Sequence, residues 1–227
     1  MNSRASHPAG ALRKGFWSAA LAILGLSGAA FPDAATAPLD RAAGSQRVVL
    51  AGGCFWGMQA IFEQLGGVSR AVAGYAGGNA ATAHYMLVST GTTGHAESVE
   101  ITFDPAKISF ARLLRIYFEV AHDPTQVNRQ GPDFGTQYRS EIFYTSTEQK
   151  HIAAAYIGQL DRAKVFSAPI ATQLAPLAAF YPAEGYHQHY VVDHPDDAYV
   201  VENDLPKLAR LRQKFSGMLK PGNASKV

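Results

Sequence analysis

Gly52-Gly53-Cys54-Phe55-Trp56-Gly57 stands where the sequence pattern changes from strand to helix, and it holds the only cysteine of the 227 residues. Ahead of it, Arg47-Val48-Val49-Leu50-Ala51 is a β-branched apolar run that predicts a buried strand over 46–51. Behind it, Met58, Ile61, Phe62 and Leu65 recur at helical spacing until Gly66-Gly67 breaks the pattern, which predicts a helix over 54–65. Cys54 therefore falls at a helix N-terminus, where free backbone N–H groups and the helix dipole favour a thiolate. The preceding glycines leave room for a ligand to approach, and two aromatics follow the sulfur directly. A lone cysteine is also commonly a small buried hydrophobe without chemistry. That reading leaves the glycine frame and the helix start without a purpose.

Hydrophobic residues make up 47% of the chain and charged residues 17%, the balance of an ordinary globular core. Arg4, Arg13 and Lys14 precede the apolar run Phe16 to Leu26 and the small residues Gly28-Ala29-Ala30. This is the pattern of a signal peptide over 1–30, with an uncleaved membrane anchor as the alternative. Losing three bases and no acid takes the formal charge from +2 to −1, so the charge balance implies no nucleic-acid or acidic-lipid partner. Residues 31–45 read as a surface leader, 46–216 as one catalytic domain and 217–227 as a flexible tail. Export would place the protein in the periplasm, where a thiol without an internal partner is a candidate reactive group.

Further along, Val68 to Tyr75 predicts a second strand and Gly74-Tyr75-Ala76-Gly77-Gly78 a turn. Tyr85, Met86 and Val88 suggest a short helix. In Glu97-Ser98-Val99-Glu100-Ile101-Thr102-Phe103 strict alternation puts Glu97 on the apolar face of a strand. A buried carboxyl keeps its proton at neutral pH and can act as a general acid; if the strand has not yet entered the core there, Glu97 is solvated instead. Ser109 caps a predicted helix over 110–120, and the long polar loop 122–139 marks a functional segment. Strands over 140–144 and 169–174 flank a helix from Ser146/Thr147 to about Lys164. A last helix, about 203–215, presents Leu205, Leu208, Leu211 and Phe215 to the core. His187, His189, Asp193 and His194 lack the spacing of metal ligands on one helical face, so no metal is expected.

Gly-Cys-Phe-Trp-Gly at 53–57, Gly-Tyr-Ala-Gly-Gly at 74–78 and Thr-Gly-His-Ala-Glu at 93–97 resemble the A-type peptide-methionine (S)-S-oxide reductase family. So do His-Asp-Pro-Thr at 122–125, Gly-Thr-Gln-Tyr-Arg-Ser at 135–140 and the Ala-Glu…His-Gln…Tyr segment at 183–190. The resemblance runs from about 46 to 215. It implies an α+β fold, a two-layer ferredoxin-like sandwich with long coil segments wrapped around it. It also implies Cys54 as the nucleophile on the sulfoxide sulfur and Glu97 as the acid that protonates the oxygen. Tyr85 and Tyr138 would hydrogen-bond that oxygen. Phe55 and Trp56 would receive the S-methyl group, supported by Asp133 and His187.

Many members of the family carry further cysteines near the C-terminus that resolve the sulfenic acid; this chain has none, and Ser89 stands where some relatives have cysteine. The resemblance therefore implies a one-cysteine enzyme with no bound cofactor, reduced by an external thiol, a thioredoxin-like protein or dithiothreitol in vitro. A monomer is expected. Two other classes compete: a cysteine hydrolase or acyltransferase with His95 or His187 as base, and a thioether-binding module in which Cys54 is structural.

Overall fold

A computed structural model describes residues 30–31 and 44–222. The expected signal peptide and most of the expected leader lie outside the described residues. Strand β1 (Gln46–Gly52) leads into helix α1 (Phe55–Glu63), then β2 (Val68–Ala76), the single turn α2 (Tyr85–Val88) and β3 (Ala96–Phe103). Helix α3 (Phe110–Ile116) passes into a π-helical turn, Tyr117–Ala121. The 122–139 loop contains a minimal hairpin, β4 (Arg129–Gln130) and β5 (Asp133–Phe134), and a 3₁₀ turn, Thr136–Tyr138. Strand β6 (Ser140–Tyr144), helix α4 (Thr147–Arg162), β7 (Gln173–Pro176) and β8 (Phe180–Pro182) follow. The chain closes with α5 (Tyr190–Asp193), a π turn Val200–Asp204 and α6 (Leu205–Phe215).

The main sheet has six strands in the order β7-β6-β1-β3-β2-β8. All neighbours are antiparallel except β6 and β7, which the α4 crossover makes parallel. Alternation along β1 and β3 sends Val48, Leu50, Val99, Ile101 and Phe103 into one core with Ile61 and Phe62 of α1 and Leu113 and Leu114 of α3. The opposite face is a smaller cluster of Val49, Ala51, Ala76, Ala96 and Phe143, covered by Ala175, Leu177 and Phe180. This is the mixed α+β class, with β1, the strand that delivers the cysteine, in the middle of the sheet.

Several boundaries differ from the sequence reading. Strand β2 runs through Gly74-Tyr75-Ala76, because Tyr75 pairs across to Glu97 and also to Tyr181 of β8; only Gly77-Gly78 turn. The strand expected over 169–174 begins at Gln173, where pairing with Glu141 of β6 starts. Leu205 is 37% exposed rather than packed, since α6 turns Leu208, Leu211 and Phe215 inward. The tail is docked through Lys220: Gly66 N–H donates to Met218 O at 2.7 Å and Lys220 N–H to Gln64 O at 2.8 Å. Ser109 and Ser146 cap their helices as the sequence predicts, accepting from Arg112 and Gln149 N–H.

Behind β1, the ring of His122 packs against Gly52, close enough to crowd a Cβ there, and its Nδ1 bonds Tyr117 O at 2.9 Å. Burial pushes its pKa down to about 4, with the Tyr117 carbonyl opposing. Below about 6.5 the unfolded chain takes up a proton that the folded chain refuses until about 4, so stability falls as pH falls through that window. Urea unfolding at pH 7 and 4.5 should show the wild type losing roughly 2 kcal/mol more than His122→Gln across that interval.

Candidate active site

Gly53 turns the chain out of β1 with φ of +90°, and the Gln130 side chain fills the space that a Cβ there would need. Cys54 follows as the N-cap of α1. It lines a cavity of about 150 Å³ together with Phe55, Trp56, Tyr85, Glu97, Asp133, Tyr138 and Tyr199. Seven of the eight residues singled out from sequence are thus brought to one place. The eighth, His187, stands behind the wall: it is buried, and its Nδ1 accepts the Trp56 indole N–H at 3.1 Å.

Glu97 is the second residue of β3 and faces the helices, in line with Val99, Ile101 and Phe103. It is 2% exposed, and its Oε2 accepts the Phe55 N–H at 3.1 Å, so it satisfies a backbone donor that the first turn of α1 would leave open. Burial pushes its pKa up to about 8; the Phe55 N–H opposes and the Asp133 charge adds. At neutral pH Glu97 is mostly the carboxylic acid. The buried-acid expectation holds.

The thiolate expectation for Cys54 does not. Burial, followed by the charges of Glu97 and Asp204, raises the thiol well above its ordinary range, while the Trp56 backbone N–H and Lys207 pull the other way. The helix terminus is present, but desolvation of the sulfur outweighs it. At neutral pH Cys54 is held as a thiol.

Both tyrosines are held from behind. Glu184 accepts the Tyr85 N–H at 2.9 Å and the Tyr75 hydroxyl at 2.8 Å, tying α2 to β2. Thr136 Oγ1 donates to Gly91 O at 2.5 Å and Gln137 Nε2 to Ser89 O at 3.1 Å, so the turn carrying Tyr138 is fastened to the segment after Tyr85. Burial first, then the Glu97 charge, raises both phenols, which remain hydrogen-bond donors at any working pH. Trp56 stacks on Tyr190 with centroids 3.7 Å apart and meets Tyr199 edge-on at 5.8 Å. Phe55 packs against Tyr75 and His187. The result is a small apolar slot beside two phenols, an acid and a thiol.

Sequence reasoning missed Tyr199, which donates to Asp133 Oδ2 at 2.5 Å across the cavity, and Asp204. Neither sits in a motif; only the tertiary return of the C-terminal segment brings them in. Among the described residues no histidine lines the cavity. Of the two histidines considered as a hydrolase base, His95 is bonded to Gly78 N–H and Asn79 O, and His187 Nδ1 to the Trp56 indole. Among the described residues no group of three or more His, Cys, Asp or Glu converges to hold a metal; His189 instead pairs with Glu63 at 2.9 Å.

Residues 46–218 match the family model described as peptide methionine sulfoxide reductase. The chain belongs to the peptide methionine sulfoxide reductase family. Relatives called peptide methionine sulfoxide reductase MsrA 2 include one from Mesorhizobium japonicum, 55% identical over 78% of this chain and 91% of its own length. Another, from Synechocystis, is 54% identical over 79% of this chain and 84% of its own. Among solved structures, methionine sulfoxide reductase A of Corynebacterium diphtheriae superposes with a TM-score of 0.59 at 35% identity, covering 68% of this chain and 77% of that one. Reduced Mxr1 of Saccharomyces cerevisiae gives 0.60 at 32% identity, over 67% and 87%. As a methionine sulfoxide reductase, the protein is a thiol-dependent oxidoreductase, and its site is to be understood as a place where oxygen leaves sulfur.

Proposed function

We propose that the protein reduces the S epimer of methionine sulfoxide, in polypeptides and free, to methionine, with Cys54 as the oxygen acceptor. The observation that carries this reading is the convergence of Cys54, protonated Glu97, Tyr85 and Tyr138 on one cavity walled by Phe55 and Trp56. The slot takes the S-methyl group, and the phenols and Glu97 face the oxygen. Sulfoxide oxygen leaves poorly unless protonated, so a neutral acid held at the site is what the chemistry requires. Cys54 gives up its proton and attacks the sulfoxide sulfur; Glu97 delivers a proton to the oxygen while the phenols stabilise charge developing there. In sum, thiol and sulfoxide become sulfenic acid and thioether, with the oxygen atom transferred and the cysteine oxidised by two electrons.

With Cys54 the only cysteine, an external thiol attacks the sulfenic sulfur, releases water and forms a mixed disulfide that a second thiol resolves. A thioredoxin-like dithiol meets that need without any bound cofactor. The cavity is complete within one chain, which supports action as a monomer. The β6-β1-β3-β2 order, antiparallel throughout and carrying α1 and α3 on one face, supports a ferredoxin-like core. The basic, apolar and small-residue run of 4–30 supports export to the periplasm, which fractionation and N-terminal sequencing of the mature protein would check.

Incubation with dithiothreitol and racemic N-acetyl-methionine sulfoxide, with the epimers resolved by chiral chromatography, tests the activity. Loss of the S epimer with the R epimer untouched is the expected outcome. Consumption of neither epimer by folded, reduced protein would remove the proposal.

A further inference from the structure

The large apolar side chains left exposed among the described residues are not spread evenly over the surface. Every one lies within 85–88, 127–134 or 186–205, the three segments that supply Tyr85, Asp133 and Tyr199 to the cavity wall. The outward faces of α3 and α4 carry none. Met86, 77% exposed, directly follows Tyr85, and Phe134, 66% exposed, directly follows Asp133. Tyr186, 62% exposed, directly precedes His187. Exposed apolar groups gathered on the walls of one cavity mark a binding surface. Two of these groups are also held in place. The Arg129 guanidinium lies over the Phe134 ring, 4.3 Å from its centroid, and Arg129 Nε donates to Gly131 O at 2.9 Å. The Tyr186 ring stands 4.3 Å from that of buried His187, which meets Tyr85 at 4.4 Å on the cavity side. An exposed ring already fixed by its neighbours loses little freedom on binding, which suits it as an anchor.

We propose that Phe134, Tyr186 and Met86 form a recognition rim for the polypeptide on either side of the sulfoxide, selecting segments in which methionine sulfoxide is flanked by apolar residues. This deepens the reading of the cavity as the sulfoxide site and rests on it. The occupant follows from the size of the cavity. At about 150 Å³ it has room for one side chain, and Cys54 within it is only 8% exposed. A polypeptide that inserts a methionine sulfoxide there must leave its backbone and neighbouring side chains outside, where the chain passes from Tyr85 to Met86 and from Asp133 to Phe134. Apolar neighbours buried against these side chains add binding energy that a free amino acid lacks.

The test compares kcat/KM on S-sulfoxide substrates with dithiothreitol, which needs no docking surface, as the reductant. The substrates are a peptide with leucine and phenylalanine beside the sulfoxide, the same peptide with glycine and serine there, and N-acetyl-methionine sulfoxide. Wild type should prefer the apolar-flanked peptide to each of the others by about tenfold. Phe134→Ser and Tyr186→Ser should each lower that preference by about threefold or more. The preference is a ratio within one protein, so loss of active protein cancels from it. Equal kcat/KM on the two peptides in wild type, or a preference unchanged in both variants, overturns the rim; a surface reserved for a thiol protein would give the second result. Consumption of none of the substrates by wild type would overturn the reading of the cavity itself, and the rim with it.

Discussion

Glu97→Gln is expected to lose activity and gain stability at once. In its proposed role as general acid, Glu97 would supply the proton that makes the sulfoxide oxygen leave, and removing such a group typically lowers the rate by about 10²- to 10⁴-fold. The amide is nearly isosteric and can still accept the Phe55 N–H through its oxygen, so the start of α1 should remain in place. The stability change follows from linkage. The folded protein holds the Glu97 proton up to about 8, against an ordinary 4.5, whereas the unfolded chain releases it near 4.5. Between these values the folded state binds more protons, so stability contributed by the protonated form is present at low pH and is lost as pH rises from 4.5 to 8. Glutamine avoids that loss. Glu97→Gln should equal the wild type near pH 4.5 and exceed it at pH 8 by on the order of 4 kcal/mol. Urea unfolding at the two pH values checks it; a variant less stable than wild type at pH 8 would mean that Glu97 is held as a carboxylate.

Cys54→Ser should reduce turnover to the uncatalysed level. A serine hydroxyl is a far weaker nucleophile toward sulfur, and the oxygen has no acceptor once the sulfur is gone. The slot of Phe55 and Trp56 is left intact, so a sulfoxide should still bind, visible as a change in Trp56 fluorescence on titration. Because Cys54 is only 8% exposed, the new hydroxyl is buried, and a stability loss of about 1 kcal/mol is expected alongside. Full activity in Cys54→Ser would rule out covalent chemistry at this position.

The centre of the site was readable because its signals are local. A strand, two glycines, a cysteine and a helix start in succession define where Cys54 must stand, and β3 follows its alternation closely enough to put Glu97 on the inner face. What failed were quantities that depend on neighbours distant in sequence. The helix terminus at Cys54 was visible, but the burial that keeps it a thiol comes from side chains distant in sequence, Tyr85, Glu97, Asp133, Tyr138 and Tyr199, closing around it. The π turns at Tyr117–Ala121 and Val200–Asp204 keep helical periodicity in the sequence and so could not be told from α-helix. Strand β7 starts late because β6 sets its register, information absent from its own residues. The role of Glu184, bridging Tyr75 and Tyr85, likewise required the sheet.

The most direct measurement is a single turnover without reductant. Reduced protein is mixed with one equivalent of N-acetyl-methionine S-sulfoxide and dimedone, then methionine product and the mass of the Cys54 peptide are quantified together. Transfer of oxygen to Cys54 predicts about one equivalent of thioether per protein and a matching dimedone adduct on Cys54 alone. Thioether formed with Cys54 still a free, unmodified thiol would contradict the account.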